Sequence, residues 1–387
     1  MTTMAPEAAA NAAPVSGLPF ATASRPQRRF QNVQSNVSNA NAGSFQVIQL
    51  PATGWVRRVS LFITATATAA SAGALVAGDA PFNLIQNITL TDATGQPVIQ
   101  PISGFNAYLV KKYFATGSQA TNSPSPWENP RMNPEYALSG TSTAFSAVFR
   151  IDLDFEIDAR TGYGCIPNLD SNASLQLKVD YAAGTVAYTG TGLTAQTISM
   201  RTEVEYWAPV GNSIGGVPVQ TAPPGAGDYA EVRYETQPVS ASSENLVTAT
   251  NRGGLVRGVL LVSRAAGVRT AITAASNLGI LLDNQPINEG IPIESHYHQI
   301  RQMYGYIGAM NGTSLVPLTG GTMDGLDTGV VPINFGALSL GRDSWLNTRA
   351  GSLFQFKVTP GASATTLELV TILAQVKDAT AFYNSGA

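Results

Sequence analysis

Charge is what this chain has least of. Of its 387 residues only 12% are Asp, Glu, Lys or Arg, against roughly 25% in an average globular domain. The formal net charge is −3. A basic stripe that could replace phosphate counterions is therefore missing, which excludes extensive or sequence-specific nucleic-acid binding. Cysteine is nearly absent too. A single one, Cys165, rules out an intrachain disulfide framework and fits a small buried apolar role in a reducing compartment. Only two histidines occur, His296 and His298, and none lies before residue 296, so a metal cluster repeated in each half is excluded. No Gly-x-Ser-x-Gly elbow exists. The longest weakly apolar stretch, 65–77, falls short of the ~18–20 residues a membrane span needs. The N-terminus lacks a basic region followed by an apolar one, so the expected place of synthesis is the cytoplasm.

Hydrophobic residues are not scarce, at 44%, and the length allows two or three domains with cores of their own. Thr, Ser, Asn, Gln, Gly and Ala take the positions that charge would hold. A surface of that kind has little to keep it apart from its neighbours and suits burial in an assembly.

The sequence also says nearly the same thing twice. Gly-Trp-Val-Arg-Arg-Val-Ser-Leu at 54–61 is answered by Gly-Leu-Val-Arg-Gly-Val-Leu-Leu at 254–261. Gln96-Pro97 followed by Ile102, Tyr108 and Lys112 is answered by Gln285-Pro286 followed by Ile291, Tyr297 and Arg301. Leu175-Gln176-Leu177-Lys178-Val179 is answered by Phe354-Gln355-Phe356-Lys357-Val358. The matches keep their order, and the distance between partners shrinks along the chain, as it does when the second copy has shorter loops. So long a period means two domains rather than a solenoid.

The texture divides the chain into an N-terminal arm over 1–43, a first domain over 44–207, a Gly/Pro-rich linker over 208–228 and a second domain over 229–387. In the arm a short helical stretch is expected over 7–13. Alternation and β-branched content predict strands near 45–50, 55–66, 82–91, 147–157, 175–181 and 198–206. The second half repeats them near 231–238, 245–249, 255–263, 278–283, 329–335, 352–358 and 366–376. Apolar spacing of three and four predicts one helix at 105–114, matched in place by 293–304. Residues 115–142 read as a long loop, and Asn311-Gly312 and Asp324-Gly325 as turns. Many short strands, long connections and no βαβ alternation give an all-β fold. The expected architecture is two tandem eight-stranded jelly rolls, with a short helix inserted in each and an extended N-terminal arm.

These residues carry a family resemblance. The segment from Phe82 to Gln96 (FNLIQNITLTDATGQ), followed by Ser103-Gly104-Phe105, resembles the first jelly roll of tectivirus-type double jelly-roll major capsid proteins of icosahedral bacteriophages. So does the polar arm running into 56–66. The resemblance is best over 44–115 and extends in outline over 44–380. It implies two sandwiches standing upright on a shell. Three chains would form a homotrimer of pseudo-hexagonal outline, and trimers would tile an icosahedral capsid, usually over an internal membrane. The partners it implies are further copies of the chain, vertex (penton) and minor capsid proteins, and the lipids of the viral membrane. No cofactor and no catalytic activity are implied.

Several residues are candidates for contacts. Arg25, Arg28 and Arg29 cluster in the arm and suit an inner face that touches anionic headgroups or a neighbouring subunit. Asp152, Asp154 and Glu156 share one face of a predicted strand; a solvated face, a cation site, or salt links to a neighbouring subunit each fit them. His296 and His298 lie on a predicted helix, where positions two apart do not face each other, and suit an interface rather than a metal. A carbohydrate-binding or adhesin-like β-sandwich protein is the alternative reading; it predicts exposed loop aromatics and an export signal.

Overall fold

The computed structural model describes residues 17–38, 44–69, 79–92, 94–114, 135–138, 144–183, 193–225, 227–272, 277–304, 327–335, 344–349, 351, 353–376 and 382. The first half runs through α1 (Phe20–Ala23), β1 (Pro26–Ser38), β2 (Phe45–Gln49), β3 (Gly54–Ala69), β4 (Ile85–Thr91) and β5 (Pro97–Ile102). It continues with α2 (Gly104–Phe114), β6 (Glu135–Leu138), β7 (Ala144–Asp154), β8 (Ile166–Asn168), β9 (Gln176–Tyr181) and β10 (Leu193–Trp207). A small hairpin of β11 (Ser213–Ile214) and β12 (Val217–Pro218) leads onward. The second half holds β13 (Ala230–Pro238), β14 (Asn245–Thr248), β15 (Leu255–Ala265), β16 (Val268–Arg269), β17 (Asn277–Leu282) and β18 (Gln285–Pro292). It ends with α3 (Ile293–Tyr304), β19 (Val330–Asn334), β20 (Leu346–Asn347), β21 (Phe354–Val358) and β22 (Thr366–Ala374).

The strand order is the same in both halves. One sheet of the first half is ordered β1-β10-β3-β7 and the other β2-β9-β4-β5. In the second half the corresponding orders are β13-β22-β15-β19 and β14-β21-β17-β18. All these pairings are antiparallel, and successive strands mostly cross from one sheet to the other, which is jelly-roll winding. The two helices hold the same place, between the last strand of one sheet and the last strand of the other.

The halves agree down to local irregularities. The register between β3 and β10 slips at Arg57, and that between β15 and β22 slips at Arg257. Each is a β-bulge, which turns the extra side chain out of the ladder. Each bulged guanidinium lies over an indole, Arg57 at 4.9 Å from the Trp207 ring and Arg257 at 5.9 Å from Trp345. The glycine at the start of β3, Gly54, and the one just before β15, Gly254, each meet the end of the partner strand. A Cβ on Gly54 would sit 2.3 Å from the Trp207 carbonyl, and one on Gly254 would sit 2.7 Å from that of Ala374.

Burial separates the halves. On β3, Val59, Leu61, Ile63 and Ala65 are buried while Phe62, Thr64 and Thr66 are not, the alternation of a sheet with one covered face. On β15 every residue from Leu255 to Arg264 is buried, because both of its faces are covered. One apolar cluster runs through both sandwiches, and Phe105 and Phe114 of α2 reach across to the second half, against Arg264, Arg269 and Gly258.

The sequence reading needs correction in places. Residues 26–38, assigned to the arm, form the edge strand β1, paired with β10 from Pro26↔Trp207 to Ser38↔Thr197. Gln, Asn and Ser at its positions hide the alternation, and an edge strand needs little apolar content. The long loop at 115–142 contains β6. The acidic strand ends at Asp154: the amides of Phe155 and Glu156 both donate to the carbonyl of Arg57. The 7–13 helix and the turns at 311–312 and 324–325 lie outside the described residues.

Candidate functional site

The features that bear on function are the wedge between the halves and the outer faces of the two larger sheets. α2 is the wedge. It is buried on nearly all sides, because one face closes its own sandwich and the other meets the second half. A Cβ on Gly258 would fall 2.2 Å from the Phe114 ring, so the absence of a side chain there lets the helix approach β15. The Lys112 ammonium lies 2.7 Å from the Asp327 carboxylate, and the Tyr113 hydroxyl donates to the same oxygen at 2.8 Å. The Asp327 amide donates back to that hydroxyl at 3.1 Å. Burial pushes the Asp327 carboxyl up, but the charges of Lys112 and Arg269 and these hydrogen bonds outweigh it and hold the group below its ordinary value.

A second polar lock lies at the start of the helix. Asp79 of the first half accepts from Arg264 at 2.5 Å and from Arg269 at 2.6 Å. Arg264 also pairs with Glu368 at 2.9 Å. Both guanidiniums lie over the Phe105 ring, at 5.6 Å and 5.0 Å. The connection between halves is pinned as well: Tyr163 donates to Asp228 at 2.9 Å, and the Ala230 amide to the Phe155 carbonyl at 3.0 Å. None of these partners was legible beforehand. Each contact joins positions far apart in the chain, and only Lys112 stands out in the sequence, through its match with Arg301.

Of the predicted acidic face, Asp152 and Asp154 share one side of β7, whereas Glu156 lies beyond the strand's end, and all three have cationic partners within the chain. Asp152 accepts from Ser60 at 2.6 Å and Arg150 at 2.5 Å. Asp154 pairs with Arg58, and with Lys111 at 3.0 Å. Burial opposes ionisation of Asp154, yet Lys111 and Arg58 win and hold it well below the ordinary carboxylate value. Glu156 is turned inward at the Arg57 bulge, accepting from Arg57 at 2.6 Å and from the Trp207 indole N–H at 2.7 Å. Burial raises its carboxyl despite Arg57, and burial next to Glu156 raises the Cys165 thiol. The four cations that meet these carboxylates, Arg57, Arg58, Lys111 and Arg150, belong to the same chain.

Arg25, Arg28 and Arg29 lie at the exposed edge of the same sheet. The Arg25 carbonyl accepts from the Ala208 amide at 3.2 Å. Arg28 reaches across to Glu205 at 3.2 Å and Glu203 at 3.7 Å. On α3 the two histidines point apart. His296 is buried, 3.4 Å from the Asn288 amide nitrogen; His298 is exposed, 3.8 Å from Glu294. Among the described residues no group of three or more His, Cys, Asp or Glu is placed to hold a metal ion.

No protein-family model matches the sequence, and no curated protein does. Solved structures match its fold. The atomic structure of Sulfolobus Turreted Icosahedral Virus contains a chain 12% identical, with 93% of this chain and 92% of that one covered at a TM-score of 0.60. For the PBCV-1 virus capsid the identity is 10%, the coverage 91% and 94%, and the TM-score 0.55. For the Faustovirus major capsid protein the figures are 10%, 92% and 90%, and 0.53. At such identities the likeness is one of fold, and it spans both halves together with the connection between them: this chain has the double jelly-roll fold.

Proposed function

We propose that this chain is the major capsid protein of an icosahedral virus and acts by self-association. The observation that carries this reading is the repeat itself. Two sandwiches of identical strand order, fixed to each other by the α2 wedge, make one chain a rigid pair of similar blocks. Three such pairs supply six blocks, so a homotrimer can occupy a six-fold position in a shell. The likeness to viral coat proteins supports the same reading, and the low charge suits a surface covered by copies of itself. No enzymatic role and no cofactor enter it. In this reading the chain is made in the host cytoplasm, and the shell is joined by vertex and minor capsid proteins and lies over an internal membrane. Arg25, Arg28 and Arg29, all exposed, meet lipid or a neighbouring subunit in this reading. The host in this reading is a bacterium.

The test is direct imaging. Purified full-length protein viewed by negative-stain microscopy is expected to show particles with a six-sided outline and three-fold averages. Particles of a single two-lobed chain at every concentration overturn the proposal. The adhesin-like alternative predicts such two-lobed particles together with retention on immobilised glycans.

A further inference from the structure

The shared bulge and register make the outer faces of the two larger sheets comparable position by position. Arg58, Ser60, Phe62 and Thr64 on β3 correspond to Gly258, Leu260, Val262 and Arg264 on β15. Arg201, Glu203 and Glu205 on β10 correspond to Glu368, Val370 and Ile372 on β22. The second-half face is apolar and covered: Leu260, Val262 and Val370 are fully buried beneath the first half. The first-half face is more polar and only partly open: Ser60, Glu203 and Glu205 are buried among its own charged side chains, and the open part lies beside them. Phe30 is 64% exposed and Val148 51%, and Thr64, Thr66 and Arg201 are exposed beside them.

The helices tell the same story from the other side. Ile102 pairs with Ile88 and Ile291 with Leu278, and each helix begins two residues later. Phe105, Asn106, Leu109 and Val110 of α2 therefore correspond to Glu294, Ser295, His298 and Gln299 of α3. The first three of the α2 set are buried and Val110 is partly so, whereas all four α3 residues are exposed. One sheet face is covered by a helix within the chain; among the described residues no helix covers its counterpart, whose Thr64, Thr66 and Arg201 are exposed, and the outer positions of the counterpart helix are exposed too.

We infer that the exposed face of α3 seats on the outer face of the first-half sheet of a second copy, in the pose that α2 holds on the second-half sheet within one chain. This rests on the capsid reading above and names the surface that reading needs. The contact joins two different patches, so it is head-to-tail and must close into a ring or run on as a filament. Its chemistry is complementary. Within the chain, Phe105 lies under Arg264, which is paired with Glu368. Between copies, Glu294 takes the place of Phe105, Thr64 that of Arg264, and Arg201 that of Glu368. Glu294 thus meets Arg201, which has no ion pair among the described residues. Phe30, Phe62 and Val148 supply the apolar part of the footprint. A mixed contact of this kind is easier to reverse than the apolar one inside the chain, which suits a unit that assembles after folding.

The test uses the full chain at micromolar concentration. Glu294→Arg and Arg201→Glu are each expected to weaken association, read by sedimentation, by about tenfold or more, and the double charge swap to restore most of it. Independently, a chain carrying Glu294→Cys with Arg201→Cys is expected to give a covalent trimer on oxidation, while either cysteine alone does not. A trimeric chain in which the cysteine pair never cross-links and the swap restores nothing overturns this surface and leaves the capsid reading standing. An unmodified chain that stays monomeric overturns both.

Discussion

Lys112 and Asp327 meet at 2.7 Å with 1% of either side chain exposed, one from each half of the molecule. An ion pair taken out of water is worth little net stability, but leaving one member behind is costly, since a buried charge then has no partner. Lys112→Met and Asp327→Asn are each expected to cost about 3–5 kcal/mol, and the double variant clearly less than the sum of the two. Urea unfolding of the three variants reads this. Additive losses would mean that the two groups are not coupled.

Gly258 has ordinary backbone angles, so its role is space rather than conformation. An added methyl would meet the Phe114 ring at 2.2 Å and the Ile333 carbonyl at 2.5 Å. The carbonyl is held in the β15–β19 ladder and cannot retreat, so α2 would have to lift. Gly258→Ala is expected to destabilise by about 1–3 kcal/mol, the usual range for overpacking. Gly211→Ala is the control, because nothing lies within 4 Å of its added carbon. Equal melting temperatures for the two variants would show that the wedge is not tightly seated.

Local periodicity made the sandwich cores legible. Val59, Leu61, Ile63 and the run from Ala147 to Leu153 announce half-buried strands, and the helix segments break that rhythm in both halves. The three echoes in the sequence fall on matching strands and, for the second, on the matching helices that follow, down to the paired bulges at Arg57 and Arg257. The edge strand β1 was not legible, because its partners are on one side only and its residues are polar. The intrachain partners of Asp152, Asp154 and Glu156 are not legible for a related reason. Alternation shows which side a carboxylate leaves the strand, but not that Arg57, Arg58 and Lys111 arrive there from other elements. Contacts between the halves, such as Asp79 with Arg269, leave no trace in spacing at all. They depend on how two finished sandwiches dock.

His296 offers a pH test that is independent of assembly chemistry. It lies on the inner side of α3, near Asn288, and burial holds its imidazole below the ordinary value of 6.5. In the unfolded chain the ring takes up a proton as pH falls through about 6.5. In the folded chain it resists until a lower pH. Over that interval the unfolded state binds more protons, so stability falls as the pH falls, and the loss is complete only below the folded value. Glu156, whose carboxyl burial raises, works in the opposite sense, since the folded state takes up its proton first and gains stability as the pH falls towards that value; two other buried carboxylates act elsewhere. Asp154 and Asp327 are held below 3.8, so their contribution is lost only at still lower pH, as it falls through their folded values. Urea midpoints of the full chain taken from about pH 7.5 to about pH 5.5 are expected to decline, and His296→Gln is expected to flatten that decline whatever it does to the absolute midpoint. An unchanged slope in the variant would assign the titration to another group.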